Sequence, residues 1–138
     1  MFKDVSVIIC CYNSASKIEQ TLLHLSLQTL NGINCEILLI DNNSADNTAE
    51  VAKQFWDKNR NPAINFTTIH EPSPGHASAR LKGVKHAISD ILIFCDDDNW
   101  LDKNYINNVI DIFNANGEVG IVGGLGSAEF ENSDSKNS

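Results

Sequence analysis

The sequence predicts an α/β domain in three layers, α/β/α, with helices on both faces of a mostly parallel sheet. Apolar, β-branched runs of strand length recur at residues 5–11, 35–40, 64–70 and 91–95. The stretches between them space their apolar residues helically, so strand and helix alternate along the chain. The run at 91–95 is apolar without interruption, the pattern of a strand buried on both faces. Two of these strands end in a carboxylate, Asp41 and Asp96, and the first ends at Tyr12. A parallel sheet brings all three endings to one edge.

Each element has a local cause. The first strand is broken by Tyr12, Asn13 and Ser14, and Ser14 or Ser16 is positioned to cap a helix carrying Ile18, Leu22, Leu25 and Leu30. Gly32 ends that helix. After the second strand, Asn47 with Glu50 three residues on resembles a capping box, and Thr48, Val51, Ala52 and Phe55 mark one helical face. The strand at 64–70 alternates polar and apolar residues, which suits a place nearer the sheet edge. Residues 71–75 contain two prolines and must be irregular. Ala77, Leu81, Val84 and Ile88 form the expected core stripe of a third helix. Ile106, Val109, Ile110 and Phe113 mark a fourth, closed by Asn116 and Gly117. Residues 119–122 read as a last strand, before a bend at Gly123 and Gly124. One domain over residues 1–126 and a flexible polar tail over 127–138 complete the organisation.

Composition excludes several classes. The net charge of −8 disfavours a nucleic-acid partner. No segment approaches the roughly 20 apolar residues needed to cross a bilayer, and the start lacks the pattern of a signal peptide. The four cysteines show no paired metal-ligand spacing and fall in or beside strand runs. They read as reduced small hydrophobes, which points to the cytosol.

The chemistry concentrates at Asp96, Asp97 and Asp98. Three adjacent carboxylates repel one another unless a cation sits between them. Hard divalent ions such as Mn²⁺ and Mg²⁺ prefer oxygen ligands and keep positions open for substrate phosphates. The bland alternative is a solvated turn in which Asp98, Asn99 or Asp102 caps the next helix. Tyr12 offers a face to a base, Asp41 and Asp96 could accept from base or ribose, and Arg80 and Lys82 make a basic helix start. Together these suggest a nucleotide. The first strand–helix turn has no glycine, so neither the dinucleotide fingerprint nor the Walker loop is present. His24 and His86 read as structural, as does Trp56. His76 lies near the expected site, and Trp100 reads as packing beneath the acidic loop.

Four motifs in register carry a resemblance. They are residues 5–9 with Tyr12 and Asn13, residues 40–48, residues 75–80 with Gly83, and residues 94–101. In this order the chain resembles, from about Val5 to Gly124, the family-two glycosyltransferases of Rossmann-like GT-A fold. The resemblance implies an inverting, metal-dependent transfer from a nucleotide sugar, most often UDP-linked, to a hydroxyl of a saccharide or lipid-linked acceptor. Polysaccharide or glycoconjugate synthesis would be the setting. It implies that Asp96, Asp97 and Asp98 form the DxD motif, with Asp98 and Asp96 at Mn²⁺ or Mg²⁺. Cys10, Tyr12, Asn13, Asp41, Asn43, Arg80, Asp96 and Asp97 would hold the nucleotide. Asn42 stands where an acid is common, which would alter base recognition, and Cys10 where Pro or Thr is common. The family's catalytic base lies in a later segment, expected beyond Ser138, so no base is assigned. A cytoplasmic location is implied, with peripheral association at the inner membrane face for a lipid-linked acceptor. Two other readings stay open: a nucleotide-sugar-binding module without transfer activity, and another α/β phosphate enzyme such as a nucleotidyltransferase or phosphatase.

Overall fold

The computed structural model describes residues 1–127. Eight elements alternate: β1 (Asp4–Cys11), α1 (Ile18–Ser26), β2 (Asn34–Asp41), α2 (Thr48–Asn59), β3 (Ile64–His70), α3 (His76–His86), β4 (Ile91–Asp96) and α4 (Tyr105–Ala115). The strands form one sheet in the order β3-β2-β1-β4, and every pairing is parallel. The three-layer α/β/α expectation holds, with the alternating strand β3 at an edge. The polar tail expected over 127–138 lies, apart from Ser127, outside the described residues.

Alternation along β1 divides the interior into two cores. Val5, Val7 and Ile9 point to the larger one, where α1 contributes Ile18, Leu22 and Leu25, α2 contributes Ala52 and Trp56, and α4 contributes Ile106, Val109 and Ile110. Ile8 points the other way and joins Leu38, Ile40 and Ala79 of α3 in a smaller core. Trp56 seals the outer end of the large core by stacking on Phe66 of β3, with ring centroids 5.1 Å apart.

Several local expectations are corrected. Helix α1 stops at Ser26, and Leu30 reaches the core from the turn beyond it. Neither Ser14 nor Ser16 caps α1 with its side chain; the Ser14 carbonyl accepts from the Lys17 and Ile18 N–H groups instead. Asn47 likewise makes no side-chain cap, and the Thr48 N–H at the helix start donates to Asp46 Oδ1 at 3.1 Å. On α3 the expected core stripe is turned outward: Leu81, Val84 and Ile88 are exposed, while Ala79 and Gly83 face the sheet. The reason is distance. A Cβ built on Gly83 would lie 2.5 Å from Ile8 Cγ2, so only a helix presenting its smallest residues can approach this closely. The strand expected at 119–122 does not form. Among the described residues β4 ends the sheet on that side, and Ile121 is 93% exposed.

Gly83→Ala tests the close approach. The substitution gains about 1 kcal/mol of helix propensity. Against this, overpacking a locked β-branched side chain costs about 1–3 kcal/mol, and a contact this short belongs at the upper end. The expected outcome is a lower urea midpoint with an unchanged slope; a midpoint at or above that of the parent chain would contradict the packing described.

Candidate functional site

The carboxyl ends of β1, β2 and β4 are held level by register. Cys10 pairs with Asp96 and Cys11 with Asp41 across the sheet. β1 has β2 on one side and β4 on the other, and α1 and α3 lie on opposite faces. This is a topological switch point, the place where open α/β sheets take ligands. A cleft of about 940 Å³ opens there.

Of the residues singled out from sequence, Cys10, Tyr12, Asn43, Arg80, Asp96, Asp97 and Asp98 line this cleft. Tyr12 is 62% exposed, so its ring is free to meet a planar ligand. The Arg80 guanidinium sits 5.8 Å from the Phe94 ring centroid, which draws it toward the end of β4. Asn13 and Asp41 stand back from the cleft wall. Asn13, held at φ 51°, accepts the Ala45 N–H at 2.8 Å and donates its own N–H to Ser44 Oγ at 3.0 Å. Asp41 Oδ1 accepts the Ser44 N–H at 3.2 Å. Both residues thus brace the turn after β2 against the turn after β1.

Asp46 completes that brace by accepting from the Thr48 hydroxyl and the Ala15 N–H. The Thr48 hydrogen bond holds the Asp46 carboxyl below its ordinary pKa. A lowered folded-state value means that this contribution to stability is present above the ordinary carboxylate range and fades as pH falls through the lowered one.

The cleft also holds residues that sequence reasoning missed or misread. Asn42, expected to alter base recognition, is buried and spent on the opposite wall. Its Nδ2 donates to the Glu71 and Ser73 carbonyls at 3.1 and 2.6 Å, and its Oδ1 accepts the Gly75 N–H at 3.0 Å. Gly75 adopts φ 107°, a conformation open to glycine, where the loop turns into α3. Lys17 reaches in from the first turn and pairs with Asp97 at 3.6 Å. No sequence signal marked these partners, since each pairing spans a long sequence separation.

The acidic cluster is not three equivalent ligands. Asp96 and Asp98 are exposed, whereas Asp97 is turned inward onto the Ser14 hydroxyl, which donates to its Oδ2. Among the described residues no three His, Cys, Asp or Glu side chains converge as a metal cage. Mg²⁺-type ions usually engage one or two carboxylates and complete their shell with water and substrate phosphates. The donor set therefore fits an ion shared with a phosphate ligand. Burial works against thiolate formation at the cysteines. Burial raises the Cys10 thiol pKa, with the Arg80 guanidinium only partly offsetting it, and burial pushes Cys35 and Cys95 up to about 12. All four cysteines are free thiols.

These features define a doubly wound α/β domain with an acidic, phosphate-compatible crevice at its switch point. The family model for glycosyl transferase family 2 matches residues 6–137, and the chain belongs to that family. It is 28% identical over 127 residues to the putative glycosyltransferase EpsH of Bacillus subtilis, covering 92% of this chain and 35% of that one. The crystal structure of S. aureus TarS 1–349 in complex with UDP shares the fold, with a TM-score of 0.73 at 20% identity over 91% of this chain and 38% of that one. The mannosyltransferase PcManGT of Pyrobaculum calidifontis, in complex with GDP-Man and Mn²⁺, gives a TM-score of 0.71 at 25% identity, over 79% and 32%. The chain thus spans about a third of the length of these relatives. Among the described residues no helix is long and apolar enough to cross a membrane.

Asn42→Asp tests the wall. It removes two donors and sets a carboxylate against two carbonyl oxygens, which should cost about 1–3 kcal/mol. A urea midpoint lowered accordingly, with faster proteolytic cleavage within residues 71–75, is the expected result.

Proposed function

We propose that this chain is the nucleotide-sugar-binding part of a glycosyltransferase that moves a sugar from a UDP-linked donor to an acceptor hydroxyl with inversion. One observation carries the reading: Asp96 and Asp98 stand exposed at the switch-point cleft that Arg80 also lines, with Asp96 in register with the end of β1. Within it, Tyr12 offers its ring to the base and Asp96 accepts from the ribose hydroxyls. Arg80 approaches the diphosphate from the α3 wall, and Asp98 faces the same phosphates through a divalent cation, Mn²⁺ or Mg²⁺. That cation, when bound, supplies charge neutralisation to the departing nucleoside diphosphate. The Mn²⁺ and GDP-Man held by PcManGT and the UDP held by TarS support this choice of ligands. A saccharide or lipid-linked acceptor, a carboxylate base from a further segment, and a site of action in the cytoplasm or at the inner membrane face complete the proposal.

Titration calorimetry separates the readings. UDP with Mn²⁺ should bind, whereas Mn²⁺ alone should bind weakly or not at all, because two carboxylates make no cage without the phosphates. Asp98→Ala should abolish the metal-dependent part of UDP binding while leaving the melting temperature at or slightly above its metal-free value, since it removes one of several adjacent like charges. An Asp98→Ala chain that binds UDP–Mn²⁺ as tightly as the parent would defeat the assignment. Binding with no sugar transfer in a turnover assay on the full-length protein would favour a binding module. Release of diphosphate or inorganic phosphate without a nucleoside diphosphate would indicate a different phosphate enzyme.

A further inference from the structure

Among the described residues six polar side chains are buried, and three of them, Ser14, Thr21 and Gln28, are spaced by seven residues. Thr21 lies in α1 while Ser14 and Gln28 sit in the turns that flank it, and their hydrogen bonds show that the three line one side of this stretch. All three bond to the segment that leaves β4. The Ser14 hydroxyl donates to Asp97 Oδ2. The Thr21 hydroxyl donates to the Asp97 carbonyl at 2.8 Å. Gln28 Nε2 donates to the Asp102 carbonyl at 2.6 Å, and its Oε1 accepts the Ile106 N–H at 3.1 Å. A further backbone bond, Thr29 N–H to the Lys103 carbonyl at 2.7 Å, continues the seam.

Such a stripe costs desolvation that Leu or Val at the same positions would avoid, and it is compensated only while the acidic segment lies along it. Asp97 is gripped at both its side chain and its carbonyl, and it also pairs with Lys17. With the middle carboxylate of the three drawn inward, its neighbours Asp96 and Asp98 are left facing the cleft. We propose that the Ser14–Thr21–Gln28 stripe and Asp97 form a clamp that positions Asp96 and Asp98 for a cation–diphosphate ligand. Asp97 is then a positioning residue that does not itself touch the ligand. This inference rests on the nucleotide-diphosphate reading above and deepens it by assigning the middle aspartate a task distinct from those of its neighbours.

The test compares the affinity of the 138-residue chain for UDP with and without Mn²⁺, by calorimetry, beside the ligand-free melting temperature. Groups that orient ligating carboxylates typically change metal affinity about 10- to 100-fold when removed. Asp97→Ala and Thr21→Val should each weaken UDP binding by that factor when Mn²⁺ is present and weaken binding of UDP alone, through Asp96, much less, so that the ratio of the two affinities falls. Asp97→Asn keeps an acceptor for the Ser14 hydroxyl and should restore most of the loss. A packing role alone would lower the melting temperature without moving the ratio of the two affinities, and an unmoved ratio in both variants overturns the clamp. Asp97→Asn as damaging as Asp97→Ala also overturns it, because the carboxylate would then be a ligand. Should Thr21→Val fail to fold, the Asp97→Ala and Asp97→Asn pair decides alone. A parent chain that binds no nucleoside diphosphate fails the glycosyltransferase reading itself, and is distinguishable from a parent that binds while the variants keep its ratio.

Discussion

Position in this domain is measured from β1. It lies between β2 and β4 with helices over both faces, and its register sets where both of those neighbours end. A slip of one residue against β4 would move Asp96 away from Cys10 and exchange the two faces of the edge strand. Burial of Val5, Val7 and Ile9 on one side and Ile8 on the other makes that slip prohibitive. The cleft inherits its geometry from this constraint, since its floor is the row of residues at which three parallel strands stop together.

Hydrogen bonding then fixes what register alone leaves loose. The turns after β1 and β2 are joined through Asn13, Asp41, Ser44, Asp46 and Thr48. Asn42 ties the β2 end to the 71–75 loop, and the stripe on α1 ties down the acidic segment. Polar side chains are thus placed inside, or at the lip of, an apolar framework wherever a loop must hold one shape. Loops carrying ligand-facing groups gain rigidity from residues that never meet the ligand.

This division explains what could be read from the chain and what could not. Strand runs and their polar stops are local signals, so the sheet, the shared edge of Asp41 and Asp96, and the cleft-lining Tyr12 were legible; Arg80 showed as a basic helix start, and Asn43 came only from the resemblance to the family. The buried face of α3 was not, because the choice of Gly83 over Val84 depends on how near Ile8 stands. Asn47 and Glu50 carry a genuine capping pattern, yet Asp46 reached the Thr48 N–H instead. The run at 119–122 has strand-like residues yet pairs with no strand among the described residues. The bonding of Asn42 could not be read because its partners lie in a loop 29 and 31 residues away. Ser14, Thr21 and Gln28 do leave a trace, as polar residues at a seven-residue interval beside Ile18, Leu22 and Leu25. Their meaning appears only once the acidic segment is laid against them.

The outward stripe of α3 has a bearing on how the chain behaves in bulk solution. Leu81, Val84 and Ile88 stand in water, and Phe94 of the outer strand is 49% exposed. Parallel sheets are ordinarily covered on both faces, and among the described residues β4 has no strand on its outer side, which leaves amides there unpaired. Opposing this adhesive strip is a net charge of −8, which keeps copies apart at low ionic strength. Added electrolyte shortens that repulsion to about 10 Å at 0.1 M, while contact between greasy surfaces is untouched. Colloidal behaviour is therefore a contest between a long-range force that salt removes and a short-range one that it spares, with dilute buffer the more dispersing medium.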